Sequence, residues 1–114
     1  MVCDHNNGER SNREGLVVKL LTKQILAKLP PLYSQQNNPD PVVQVKFFNP
    51  GGAGTWYGIE YDGADTFFGY TTGLQEDELG YFSLSELINF RGRFGLGIER
   101  DKFFRPVPLS KVKA

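Results

Sequence analysis

The stretch Thr55–Thr72, TWYGIEYDGADTFFGYTT, decides the fold. TWYGIEY (Thr55–Tyr61) and DTFFGYTT (Asp65–Thr72) are dense in aromatic and β-branched residues, which suit a half-buried pleated surface. Asp62-Gly63 between them is a turn signal, and the spacing predicts a hairpin with a loop of three to five residues. Successive side chains on a strand point to opposite faces, so Trp56 and Tyr57 separate, as do Phe67 and Phe68. One set can fill a core while the other meets solvent.

Upstream, VVQVKFF (Val42–Phe48) alternates Val43, Val45 and Phe47 with Gln44 and Lys46, the pattern of a strand with one apolar face. Asn49-Pro50-Gly51-Gly52-Ala53-Gly54 breaks it. Earlier still, Leu16–Leu21 is a short apolar run, a strand or the lead-in to a helix. Thr22 is an N-cap for a short helix over Lys23–Leu29, with Ile25, Leu26 and Leu29 on one face. Pro30 and Pro31 stop that helix, and Tyr33–Pro41 is loop by composition.

Downstream, Gly73–Gly80 is an acidic connection, and Tyr81-Phe82 is a short strand feeding a helix. Ser83-Leu84-Ser85-Glu86 matches a capping box, in which the Ser83 hydroxyl accepts from the amide three residues on and Glu86 reaches back to the Ser83 amide. Leu84, Leu87, Ile88 and Phe90 give that helix an apolar face, and Gly92 is its terminator. Ile98–Phe104 reads as a further strand, kept short by Pro106 and Pro108. Leu109–Ala114 is a basic tail with one helical turn begun at Ser110. The expected class is α+β: a small antiparallel meander of three to five strands with two or three short helices packed on one face. Residues 1–15 read as a flexible polar tail, 16–110 as one domain and 111–114 as a basic tail.

A chain of 114 residues suffices for one core. Its single cysteine, Cys3, excludes an intramolecular disulfide and fits a reducing compartment. The polar N-terminus has no secretory h-region. No apolar run approaches the roughly 20 residues that span a bilayer. The expectation is a cytoplasmic protein without membrane contact.

Net charge is zero but unevenly spread. Met1–Lys46 carries +2. Phe47–Phe90 holds seven acids and no base, and Arg91–Ala114 carries +5. The acidic and basic parts either neutralise one another in the fold or leave an acidic surface for a basic partner.

Catalytic and cofactor signatures are weak. PGGAG (Pro50–Gly54) and GRFGLG (Gly92–Gly97) lack the Gly-Lys-Ser/Thr of a P-loop. Cys3 and His5 are too few for a zinc site. Glu60, Asp62, Glu78, Glu86, Glu99 and Asp101 could pair carboxylates for acid–base work, but their spacing matches no motif. Alternating Glu99-Arg100-Asp101-Lys102 suggests neighbouring ion pairs. No cofactor and no metal are expected.

LLTKQILAKLPPLY (Leu20–Tyr33), DPVVQVKFFNP (Asp40–Pro50), TWYGIEYDG (Thr55–Gly63), FFGYTTGLQEDELGYFSLSEL (Phe67–Leu87) and GLGIERDKFFRPVPLS (Gly95–Ser110) together resemble one small bacterial family. It is known as a domain of unknown function carried by plasmids, integrative conjugative elements and phages. ELGYFSLSEL and IERD-x-x-F-x-P are the most specific parts. The resemblance implies an accessory protein of mobile DNA and brings no catalytic residues.

The leading expectation is a non-enzymatic protein that binds a protein partner through an acidic surface of Glu60, Asp62, Asp65, Glu76, Asp77 and Glu78. That partner would be a host nucleic-acid-processing complex, with inhibition of host defence of the anti-CRISPR or antirestriction type as the outcome. One alternative is nucleic-acid binding through Arg91, Arg93, Arg100, Lys102 and Arg105 with Trp56 as a stacking platform. The other is a small carboxylate-based enzyme. Nothing in the residues fixes the oligomeric state.

Overall fold

Hairpin pairing organises the molecule, whose computed structural model describes residues 19–114. The elements are α1 (Lys23–Lys28), β1 (Val42–Val43), β2 (Val45–Phe48), β3 (Thr55–Tyr61), β4 (Thr66–Thr72), β5 (Glu78–Ser83), α2 (Leu84–Asn89), a 3-10 turn (Arg93–Gly95), β6 (Glu99–Arg100), β7 (Val107–Pro108) and α3 (Leu109–Lys113). They make an α+β fold with a five-stranded antiparallel sheet in the order β5-β4-β3-β2-β6 and a two-stranded β1-β7 pair. The residues before Lys19, including the polar tail, Cys3, His5 and the start of the Leu16–Leu21 run, lie outside the described part. Lys19 and Leu20 are helical.

Several boundaries differ from the sequence reading for local reasons. VVQVKFF is two strands, because the chain leaves the main sheet at Gln44 so that Val42 and Val43 can pair with β7. β5 begins at Glu78, so the acidic connection is shorter and Tyr81-Phe82 sits inside a six-residue strand. The IERDKFF strand is only Glu99–Arg100. Lys111 and Lys113 belong to α3. Gly92 keeps φ −92° and is no left-handed stop. Instead α2 ends on an extended Phe90, and the Arg91 guanidinium donates to the Ile88 and Phe90 carbonyls at 2.7 and 2.6 Å.

Both N-cap hydroxyls read from sequence are engaged, but the return bond from the Glu86 carboxylate to the Ser83 amide that would complete the capping box is not made. Thr22 Oγ1 accepts from the Ile25 amide at 3.1 Å, and Ser83 Oγ accepts from the Glu86 amide at 3.0 Å. Asp65 is not in β4. Its carboxylate accepts from the Ser85 amide and hydroxyl at 2.8 and 2.9 Å, and its carbonyl accepts from the Leu84 amide at 2.7 Å. The β3–β4 turn is thereby stapled to the start of α2.

Two cores form on the two faces of the sheet. One holds Val45, Phe47, Trp56, Tyr61, Phe67 and Phe82 under α2 residues Leu84, Leu87 and Ile88. Phe67 is its hub: it stacks on Phe82 at 5.0 Å and meets Tyr61 at 4.4 Å and Phe47 at 5.6 Å. The smaller core, on the opposite face, joins Val43, Ile59 and Tyr70 to Leu109 of α3. Helical packing is therefore on both faces rather than one.

Asp62 holds the β3–β4 turn. Its Oδ1 accepts from the amides of Ala64, Asp65 and Thr66 at 2.8, 2.8 and 3.0 Å. Those backbone hydrogen bonds hold its carboxyl below the usual carboxylate value. A lowered folded pKa adds stability that is full above the unfolded value near pH ~3.9 and lost as pH falls through the folded one. Asp62→Ala should therefore melt below the wild type at pH 7, with the gap closing in more acid solution. Thermal melts across a pH series check this, and a gap independent of pH would refute it.

Candidate binding cleft

A β-bulge builds the site. Gly58 pairs with Gly69 and Glu60 with Phe68, so Ile59 is an extra residue on β3. Strict alternation would aim Glu60 into the aromatic core beside Phe67. The extra residue resets the phase and places Ile59 and Glu60 on the same face, the one opposite α2. There Glu60 is buried, with 4% exposure.

The Glu60 carboxylate is held by the loop that the two prolines start. Its Oε1 accepts from the Tyr33 amide at 2.9 Å and its Oε2 from the Gln35 amide at 2.7 Å. The Tyr61 amide donates to the Pro30 carbonyl at 2.9 Å, fixing the same loop on β3. Tyr33 is left-handed, with φ 70°, a conformation that costs a non-glycine residue about 1–2 kcal/mol. Glu60 thus stabilises a strained turn that presents the Tyr33 ring to solvent.

Beside this turn lies a cleft of about 350 Å3. Tyr33, Phe68, Leu79, Tyr81 and Leu109 line it, with Glu60 at its floor. Phe68 and Tyr81 meet edge to face at 5.3 Å. Loss of solvent around its hydroxyl, the neighbouring Tyr33 phenol and the Glu60 charge raise the Tyr81 phenol above its ordinary range. Leu79 and Tyr81 are 45% and 58% exposed on β5, which among the described residues ends the sheet order with no strand beyond it. A largely apolar cleft, with Gln35, Gln36 and Asn38 also in its lining, therefore runs out to a strand edge that no described residue pairs, the arrangement used to receive extended peptides.

The six acids read as one surface do not come together. Glu60 is a correction, because the bulge and two backbone amides bury it. Asp62 and Asp65 are engaged in the β3–β4 turn and the α2 cap. Glu76, Asp77 and Glu78 sit at the other end of β4, roughly 20 Å away at about 3.3 Å per residue. There Asp77 accepts from the Gly73 amide at 3.2 Å, and Glu76 and Glu78 are exposed.

Trp56 is a second correction. It is 8% exposed and packs against Phe90 at 6.2 Å, so it offers no stacking face. Arg91 caps α2, and Arg100 Nε donates to the Lys19 carbonyl at 3.2 Å. Arg93, Lys102 and Arg105 are exposed, and the phenyl rings beside the first two, Phe94 and Phe103, are 89% and 92% exposed. The expected ion pairs within Glu99–Lys102 are not made. Among the described residues the one ion pair is Lys46–Asp101 at 3.6 Å, so the acidic and basic parts do not neutralise one another by direct pairing. No group of three or more His, Cys, Asp or Glu among the described residues could hold a metal ion, and no described helix is long and apolar enough to cross a membrane.

The cleft residues escaped the linear reading, since Tyr33 and Gln35 lie 27 and 25 positions from Glu60. One signal was present: a glycine inside a strand, Gly58, often marks a bulge.

Fold and cleft define a small α+β domain with a ligand-sized groove on an open sheet face. The chain belongs to the family described as protein of unknown function (DUF2958), whose model matches residues 16–112. Neither a curated protein nor a solved structure matches it.

Proposed function

We propose that this domain is a non-enzymatic binding module that captures an extended segment of a protein partner along β5 and in the cleft beside it. The observation that supports this reading is the exposure of Leu79 and Tyr81 on a strand that is the sheet edge among the described residues, continuous with a cleft walled by Tyr33 and Phe68. Main-chain pairing at such an edge supplies affinity, and pockets for alternate side chains supply specificity. The absence, among the described residues, of a convergent carboxylate pair in the cleft, where Glu60 is the one acidic side chain found, favours binding over acid–base catalysis. The acidic ends of the hairpin would then steer a basic partner rather than form its contact surface. The resemblance to accessory proteins of mobile DNA makes a host defence complex the partner class to test first.

Selection of a random 12-residue peptide display library on the purified protein tests the reading. Enriched peptides should lose at least tenfold in affinity for Leu79→Ser/Tyr81→Ala and keep it for Phe103→Ser. Enrichment insensitive to the β5 pair, or of no peptide at all, would overturn it. So would a monomer–dimer equilibrium abolished by the β5 pair, which would make a second copy the occupant.

A further inference from the structure

The cleft has a chemical preference that follows from its charge, and the inference rests on the binding reading above. Glu60 is buried with a carboxylate that accepts two backbone amides. A carboxylate offers about four acceptor positions, so two remain. Among the described residues no Lys or Arg lines the cleft, and none pairs with Glu60. A buried carboxylate without a counter-charge is costly, and a cation brought to it gains more than it would at an exposed site.

The walls suit a cation as well. Tyr33, Phe68 and Tyr81 surround the Glu60 end, and aromatic faces attract ammonium groups within about 6 Å of the ring. The same sheet face already does this twice. Lys46 Nζ lies 5.8 Å from the Tyr57 ring and Lys113 Nζ lies 5.3 Å from the Tyr70 ring. Tyr70 is two residues from Phe68 on β4, so the next aromatic position along that row is the cleft. It combines the ring environment with the one buried acid among the described residues, and no described lysine reaches it.

We infer that the cleft is a receptor for a lysine side chain of the captured segment, its ammonium seated between Tyr33 and Tyr81 above the Glu60 carboxylate and its methylene stem against Phe68 and Leu79. The long apolar stem of lysine matches such a channel, since it buries its carbons while its charge reaches a polar end.

Titration of the full chain with N-acetyl-lysine methylamide, followed by amide NMR, tests the assignment. The neutral comparison is N-acetyl-norleucine methylamide, which keeps the stem and lacks the ammonium. Saturable shifts of the Tyr33, Gln35 and Tyr81 amides are expected with the lysine probe, with binding at least tenfold weaker for norleucine. Glu60→Gln keeps an acceptor for the loop and should lose the preference for lysine. Tyr81→Ala, at an exposed position, should weaken the lysine probe at least fivefold in a protein that still melts cooperatively, with only the modest loss expected from the Phe68–Tyr81 contact. Equal binding of the two probes, or shifts confined to other surfaces, would overturn the assignment. Library peptides that bind through β5 yet keep their affinity when lysine becomes norleucine would overturn it while leaving segment capture standing. Failure of every peptide at β5, with the lysine probe still seated in the cleft, would overturn capture alone.

Discussion

Phe67→Ala is expected to destabilise the fold by about 3–5 kcal/mol, the range for emptying a large aromatic from a packed core. The ring is fully buried and is the member of the larger core that touches rings from three other strands: Phe47 on β2, Tyr61 on β3 and Phe82 on β5. Its loss leaves a cavity that the surrounding sheet cannot collapse, since each neighbour is fixed by its own strand. Domains of this size have total stabilities of about 5–15 kcal/mol, so the variant should lose much of its resistance to urea. Chemical denaturation checks it. A midpoint shift worth less than about 1 kcal/mol would mean that the core is not organised around this ring.

Gly69→Ala should be comparably severe for the opposite reason. Gly58, Gly69 and Gly80 face one another across β3, β4 and β5. A methyl group at Gly69 would overlap the Tyr57 carbonyl and press on the Phe82 ring, and the carbonyl belongs to the paired strand, so it cannot yield. Overpacking costs about 1–3 kcal/mol, more when backbone must move, and a drop in melting temperature of more than about 10 °C is expected. Gly80 is the internal control. A methyl group there meets nothing within 4 Å, so Gly80→Ala should leave stability unchanged within about 0.5 kcal/mol. Equal effects at Gly69 and Gly80 would contradict the strand register from which the bulge at Ile59, and hence the cleft, is deduced.

The hairpin and its helix were legible because their signals are local. Alternation of Val45 and Phe47, the Asp62-Gly63 turn and the Ser83 N-cap each depend on residues within one turn or one strand, whereas Val43, expected on the face of Val45, packs in the opposite core. The split at Gln44 was not legible, because it is imposed by Val107 and Pro108, some 65 residues on. Asp65 looked like a strand residue from its neighbours, yet its role is set by Ser85 on another element. Charge was the least reliable guide to the site. A base-free run from Phe47 to Phe90 suggests one acidic face, but a hairpin sends its two ends apart, and backbone amides claim Glu60, Asp62, Asp65 and Asp77. Trp56 likewise failed as a platform because the parity of β3 before the bulge turns it toward α2. Beyond the bulge the parity changes, and a carboxylate arrives where an aromatic cleft needs a floor.

The most direct test of the account is the affinity of one library-selected, lysine-containing peptide for the wild type and for Leu79→Ser/Tyr81→Ala, measured by titration calorimetry with melting temperatures in parallel. Capture at β5 and its cleft predicts at least a tenfold loss of affinity in a variant that still melts cooperatively well above the measuring temperature, its melting point lowered only by the lost Phe68–Tyr81 contact. The same affinity in both proteins would contradict it.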